Sequence, residues 1–217
     1  MKRIKSTLII MLLVTLTFST GCNLSRKNKL CMGVMEGTAY TNEYFGFTFT
    51  IPEKWTLLSE EEKESIMNAF ITALPSDSKD LKKQLEKSKA KTLNLVSVYK
   101  YPIEINFAFN PNLICSAEKL GLKNRLIIKS GEDYLTLFKS SIEKLKLPLT
   151  FTDITSEELG GKDFDVMIAS IEIQDIKICQ KFYSTIINGY ALTFAVSYMT
   201  EKQLNDLNNI LETIKFD

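Results

Sequence analysis

Ile187-Asn188-Gly189-Tyr190-Ala191-Leu192-Thr193-Phe194-Ala195-Val196-Ser197-Tyr198 reads as a hairpin turn running straight into a strand. Asn188-Gly189 is a strong two-residue turn signal, because a type I′ turn needs positive φ at both central positions. Beyond it, Tyr190, Leu192, Phe194, Val196 and Tyr198 fall on one face, and Ala191, Thr193, Ala195 and Ser197 on the other. A period of two is that of a strand. The small face leaves room for a helix to lie close, and one follows at once. Thr200 and Gln203 have the spacing of a capping box, and Leu204, Leu207, Leu211 and Ile214 form the stripe behind it.

Working back from the turn, residues 176–187 form the partner strand, and Asp175 marks a turn from a strand over 163–173. Gly160-Gly161 joins that strand to another over 151–159. A helix is expected from about Gly131 to Lys146, capped by Ser130, with Leu135, Phe138, Ile142 and Leu145 on one side and Pro148 as its stop. Strands are also expected over 113–120, at Ile105, Phe107 and Phe109 before the Asn110-Pro111-Asn112 turn, and over 93–99, the last buried on both sides. Ser59 and Glu62 make a second capping box, opening a helix whose stripe is Ile66, Phe70 and Leu74 and which ends at Pro75. Its acids Glu60, Glu61 and Glu62 suit the positive end of a helix dipole better than a cation site. The Lys-rich stretch 78–90 is expected to be a short exposed helix. Thr38–Asn42 and the alternating Phe47, Phe49 and Ile51 are strands; Pro52 closes the second, and Trp55 beyond it is read as a core anchor. Strands joined by hairpins and interrupted by a few helices predict an α+β domain, a largely antiparallel sheet sandwiched between helices, over residues 37–217.

The N-terminus carries a different message. Lys2, Arg3 and Lys5 precede an apolar run from Leu8 to Phe18, and Ser19-Thr20-Gly21-Cys22 closes it. That is the build of a secretory signal, and the run falls short of the roughly 20 apolar residues needed to cross a bilayer. Cys22 directly after Gly21 resembles the lipobox of bacterial lipoproteins, with Ser19 standing where leucine is usual. Residues 1–21 are thus expected to be a lipoprotein signal peptide, Cys22 the acylated first residue of the mature chain, and residues 22–36 a flexible tether. A plain signal peptide with an incidental cysteine is the alternative. Arg26, Lys27 and Lys29 on the tether could touch anionic headgroups, and a solvated linker is the simpler reading.

Lys2, Arg3 and Lys5 are three of the 27 basic residues, so the mature chain holds 24 against 26 acids and no nucleic-acid-binding field is expected. With Cys22 acylated, Cys31, Cys115 and Cys179 remain, an odd number without metal-site spacing. Cys115 with Cys179 is the more plausible disulfide, and reduced buried thiols fit the residues as well.

Tyr40-Thr41-Asn42, Gly46-Phe47-x-Phe49-x-Ile51-Pro52-x-x-Trp55, Gly189-Tyr190-Ala191-Leu192-x-Phe194 and Ile210-Leu211-x-x-Ile214-Lys215-Phe216 resemble segments of the bacterial PsbP-like lipoproteins. The order of elements matches that family across nearly the whole mature chain. The resemblance implies a PsbP-like antiparallel sheet between helices, and binding or assembly rather than a reaction. No metal, cofactor or partner site of a relative maps onto this chain.

The chain contains no histidine, which removes Ser-His and Cys-His nucleophile systems and histidine metal sites. The remaining candidates are few. Glu157 and Glu158 are adjacent and would face opposite ways on a strand, whereas Asp163 and Asp165 share a face beside a turn. Cys179 lies between Lys177 and Lys181, where two ammonium groups would favour a thiolate. For each, a solvated surface role is the simpler reading. The expectation is a non-catalytic binding or accessory module at the cell envelope, held to the extracytoplasmic membrane face by an acyl (palmitate) anchor on Cys22 and engaging a protein partner. Neither metal nor cofactor is expected. A carrier of a small or lipidic ligand comes second, and an enzyme working through carboxylates or a thiol third.

Overall fold

The computed structural model describes residues 32–73, 91–103, 109–144, 147–173 and 175–217. The expected strand at Ile105 and Phe107, the helix over 78–90, the Leu74–Pro75 helix end, and everything before Met32 lie outside these residues.

The hairpin forms as its residues dictate. Strand β10 (Ile176–Ile187) pairs antiparallel with β11 (Tyr190–Tyr198) from Ile187 opposite Tyr190 to Cys179 opposite Tyr198. Asn188 and Gly189 between them take φ of 51° and 76°, the left-handed pair that this turn requires. On its other edge β11 pairs with β6 (Asn112–Lys119), which continues to β5 (Thr92–Tyr99) and β4 (Thr56–Leu57). Beyond β10 lies β9 (Lys162–Ile173), whose far edge is shared by β7 (Thr150–Phe151) and β8 (Thr155–Leu159). This makes an eight-stranded sheet. A four-stranded sheet runs in the order β1 (Val34–Glu36), β2 (Ala39–Asn42), β3 (Phe47–Thr50) and β12 (Lys215–Phe216). Every pairing described in both sheets is antiparallel, so the α+β expectation holds.

The large-residue face of β11 meets the smaller sheet. Tyr190, Leu192, Phe194 and Val196 share one core with Tyr40, Phe45, Phe47 and Phe49. Trp55 packs against that core, as expected. Helix α1 (Glu60–Ala73) opens on the Ser59–Glu62 capping box, in which Ser59 N–H donates to Glu62 Oε2 at 2.7 Å. Helix α2 spans Leu122–Ile127, and α3 spans Gly131–Glu143. Leu135 of α3 is buried among Met167, Ala169, Phe182 and Ala195, and the Phe138 and Phe182 rings stand 5.1 Å apart.

Two expectations are corrected here. The helix following β11, α4 (Glu201–Leu211), does start on the Thr200–Gln203 capping box, yet it covers the large-residue face. Leu207, Ile210 and Leu211 join the core of Phe47 and Phe194. A wide apolar stripe needs apolar partners, and the small face offers hydroxyls and amides already bonded to each other. Ser184 and Thr193 share a 3.0 Å hydrogen bond, and Gln180 Nε2 donates to Ser197 Oγ at 2.9 Å. The helix lying on the small face is α3 instead. The second correction concerns residues 34–36, read as part of the tether. They form β1, with Met35 opposite Tyr40. Three residues hold no period, so only the pairing partner reveals the strand.

The start of α3 yields a prediction. Ser130 Oγ accepts from Asp133 N–H at 3.1 Å, while Asp133 Oδ2 accepts from the N–H groups of Lys129 (2.8 Å) and Ser130 (3.2 Å). The Lys129 amide, first among these, holds the Asp133 carboxyl below its ordinary value of 3.8. Ser130→Ala should cost about 1 kcal/mol in a urea melt at neutral pH. A depressed carboxylate stabilises the fold above its unfolded pKa and stops doing so as pH falls through the folded one. The stability gap between wild type and Asp133→Asn should therefore shrink below about pH 4; an unchanged gap there would show that the cap carries no charge-dependent stability.

Candidate functional site

The sequence-derived candidates are scattered. Cys22, the leader over 1–21 and Cys31 lie outside the described residues. Cys115 and Cys179 are both free. They sit on β6 and β10, with β11 between them. Two strand spacings amount to about 9–10 Å, beyond the roughly 7 Å that a disulfide spans between Cα atoms. The Cys115 thiol is buried and burial pushes its pKa well up.

The surroundings of Cys179 do not favour a thiolate. Partial burial raises its pKa, and the opposing pull of Lys177 is smaller. Lys181 on its other side is engaged elsewhere: its ammonium lies 2.7 Å from Glu157 Oε1 and 4.8 Å over the Tyr183 ring. Asp165 is also engaged, accepting from Glu132 N–H at 2.8 Å in the first turn of α3. Glu157 and Asp165 thus hold structural positions, and among the described residues no three His, Cys, Asp or Glu side chains converge to hold a metal ion. The middle of the small face is a buried hydrogen-bonded row. Ser97 Oγ donates to Asn94 Oδ1 at 2.9 Å, and Ser197 Oγ donates to Asn112 Oδ1 at 3.1 Å. None of these groups titrates, so the row holds register without offering proton chemistry.

The feature that sequence reading missed is α2. Leu122, Leu126 and Ile127 are exposed by 84%, 75% and 60%, the three most exposed large apolar side chains among the described residues. Leu122 and Leu126 stand one turn apart on the same side of the helix. The helix ends are held firmly. Leu120 before it and Ile128 after it are buried together against Ala191. Arg125 Nε donates to Leu120 O at 3.0 Å, and Leu120 N–H donates to Gly189 O at 3.1 Å. The apolar tip is therefore presented by a braced segment. A sequence signal existed in the Leu122–Leu126 spacing after Gly121. Six residues whose apolar groups face outward leave no core-facing stripe to find.

Beside α2, a groove of about 210 Å³ is lined by Leu120, Asn124, Ile128, Tyr134, Leu137 and Phe138, with Glu118 at its edge. Tyr134 OH donates to Glu118 Oε2 at 2.9 Å, and burial pushes the Tyr134 phenol well up. The groove is smaller than the 300–1,000 Å³ usual for small-molecule sites. Among the described residues no helix is long and apolar enough to cross a membrane.

Comparison with known proteins returns no matching family model and no curated protein similar in sequence. In structure, the chain is similar to cyanobacterial PsbP (CyanoP) from Synechocystis, at 12% identity and a TM-score of 0.44 over 86% of this chain and 99% of that one. It is also similar to LpqN, described as involved in cell envelope biogenesis of Mycobacterium tuberculosis. That match has 13% identity and a TM-score of 0.41 over 90% of this chain and 98% of that one.

Proposed function

We propose that this protein is an exported lipoprotein, tethered through an acylated Cys22 to the extracytoplasmic face of the cell membrane, where it serves as a non-catalytic binding or accessory module. The observation that carries the reading is the leader itself. Lys2, Arg3 and Lys5, the apolar run Leu8–Phe18 and Gly21-Cys22 have the order that an exported, lipid-modified chain requires. A binding role without catalysis draws its support from two further facts. The full chain has no histidine, and the Cys115 and Cys179 thiols are raised by burial while Glu157 and Asp165, one of each carboxylate pair, are held in structural contacts. The braced apolar tip of α2 is the kind of exposed feature that soluble monomers seldom maintain without a use.

The test is processing and fractionation of the full chain in a bacterial host. Wild type is expected in the membrane fraction, with maturation blocked by globomycin. Cys22→Ala is expected to lose the part of the membrane association that survives a high-salt wash, since the changed residue removes the acyl anchor and leaves only reversible contacts. Equal retention of wild type and Cys22→Ala after that wash would end the lipoprotein reading, and a wild type found in the soluble fraction would direct the search to a diffusible partner.

A further inference from the structure

We infer that the apolar tip of α2 and the basic side chains around it form a second contact with the membrane, docking on an anionic lipid surface. This deepens the proposed function and rests on the same membrane location. Three observations converge on it. The first is charge. Residues 119–130 contain Lys119, Lys123, Arg125 and Lys129 and no acid, in a mature chain where acids outnumber bases. Basic groups surrounding exposed aliphatic ones are the make-up of segments that rest at the boundary between headgroups and acyl chains. The second is presentation. Leu120 and Ile128 staple the segment to the fold, so Leu122, Leu126 and Ile127 point out without the backbone being free to fold them back.

The third is position. A line of contacts runs from α2 to the place where the chain from Cys22 enters the domain. Arg125 Nη2 lies 3.5 Å from Gly189 O, and the neighbouring Asn188 Nδ2 donates to Tyr44 O at 2.6 Å. Phe45 N–H donates to Asn42 Oδ1 at 3.1 Å, Asn42 Nδ2 to Tyr40 OH at 3.1 Å, and Tyr40 OH to Met32 O at 2.8 Å. The tip of α2 and the root of the tether thus share one end of the molecule. Ten residues from Cys22 to Met32 span at most about 35 Å, so an anchor in the lipid keeps this end close to the surface. A second contact then forms at high effective concentration.

A direct, acyl-independent affinity for anionic membranes is expected. The mature chain with Cys22→Ser, which has no lipid, would be sedimented with vesicles of phosphatidylcholine alone and with vesicles containing one third phosphatidylglycerol. Binding to the anionic vesicles is expected. It should fall about tenfold or more when Leu122, Leu126 and Ile127 are all changed to serine, and about fivefold for each of Lys123→Ala and Lys129→Ala. All five side chains are exposed, so thermal melts of the variants should match the parent. No sedimentation with anionic vesicles at several millimolar lipid, or equal sedimentation of parent and triple variant, overturns the proposal and leaves the tip for a protein partner. Because this chain cannot be acylated, failure here leaves the Cys22 anchor untouched, and a failed anchor would show separately in cell fractionation.

Discussion

Phe194→Ala is expected to lower stability by about 3–5 kcal/mol, the largest loss of any single side-chain truncation considered. Phe194 is fully buried and stands at the crossing of the two sheets. Its ring meets Phe47 at 5.3 Å, Phe164 at 5.8 Å and Phe49 at 6.4 Å, each edge to face. Truncation removes the transfer free energy of the ring and opens a cavity whose walls come from three separate elements. β3, β9 and β11 cannot all close in on that space, because each is fixed in its own ladder. At about 2–4 °C per kcal/mol for a domain of this size, the melting temperature should fall by roughly 6–20 °C. Phe138, on the opposite side of the eight-stranded sheet, is half-buried against Phe182, and Phe138→Ala should cost clearly less. A fall of only a few degrees for Phe194→Ala would mean that the aromatic crossing does not hold the two sheets together.

Gly131→Ala is expected to destabilise the fold, and the sign of the effect is the informative part. Gly131 is the first residue of α3, where helix propensity alone would favour alanine by about 1 kcal/mol. Its Cα, however, lies directly against β10. A side chain there would collide with the Ser184 carbonyl oxygen, 2.7 Å from the carbonyl carbon and 2.9 Å from Asp165 Oδ2. Ser184 belongs to a strand paired on both edges, so its backbone cannot yield. The helix must lift instead, straining the Glu132–Asp165 hydrogen bond and the seat of Leu135. Overpacking of this kind costs about 1–3 kcal/mol or more and outweighs the propensity gain. Chemical denaturation of Gly131→Ala against wild type checks it; an unchanged or raised midpoint would show that α3 is not seated this closely.

Much of the fold was legible because local and global signals agree. Asn188-Gly189 set one turn, and Ser130 and Thr200 opened their helices where spacing predicts. The alternation from Tyr190 to Tyr198 named the residues of the main core. What the sequence hid was relational. Nothing in Leu204, Leu207 and Leu211 says which face of β11 they will cover; that follows from Phe47 and Phe49 bringing apolar partners to one side, while Gln180, Ser184, Thr193 and Ser197 bond among themselves on the other. β1 and β12 are too short to show a period and exist through pairing with β2 and β3. The candidate site divides the same way. The proposed acylation of Cys22 rests on a local motif, Gly21-Cys22 after an apolar run, that needs no structure to be noticed. The tip of α2 is visible only once Leu120 and Ile128 are seen buried and Leu122 and Leu126 are seen exposed.

The acyl anchor on Cys22 is open to a single measurement, the intact mass and N-terminal peptide mass of the protein taken from membranes. The expected species is a mature chain beginning at Cys22 that carries a diacylglyceryl group on its sulfur and fails to mature in the presence of globomycin. A chain cut at another bond with Cys22 as a free thiol, or one that keeps Lys2, Arg3 and Lys5 at its start, would contradict it.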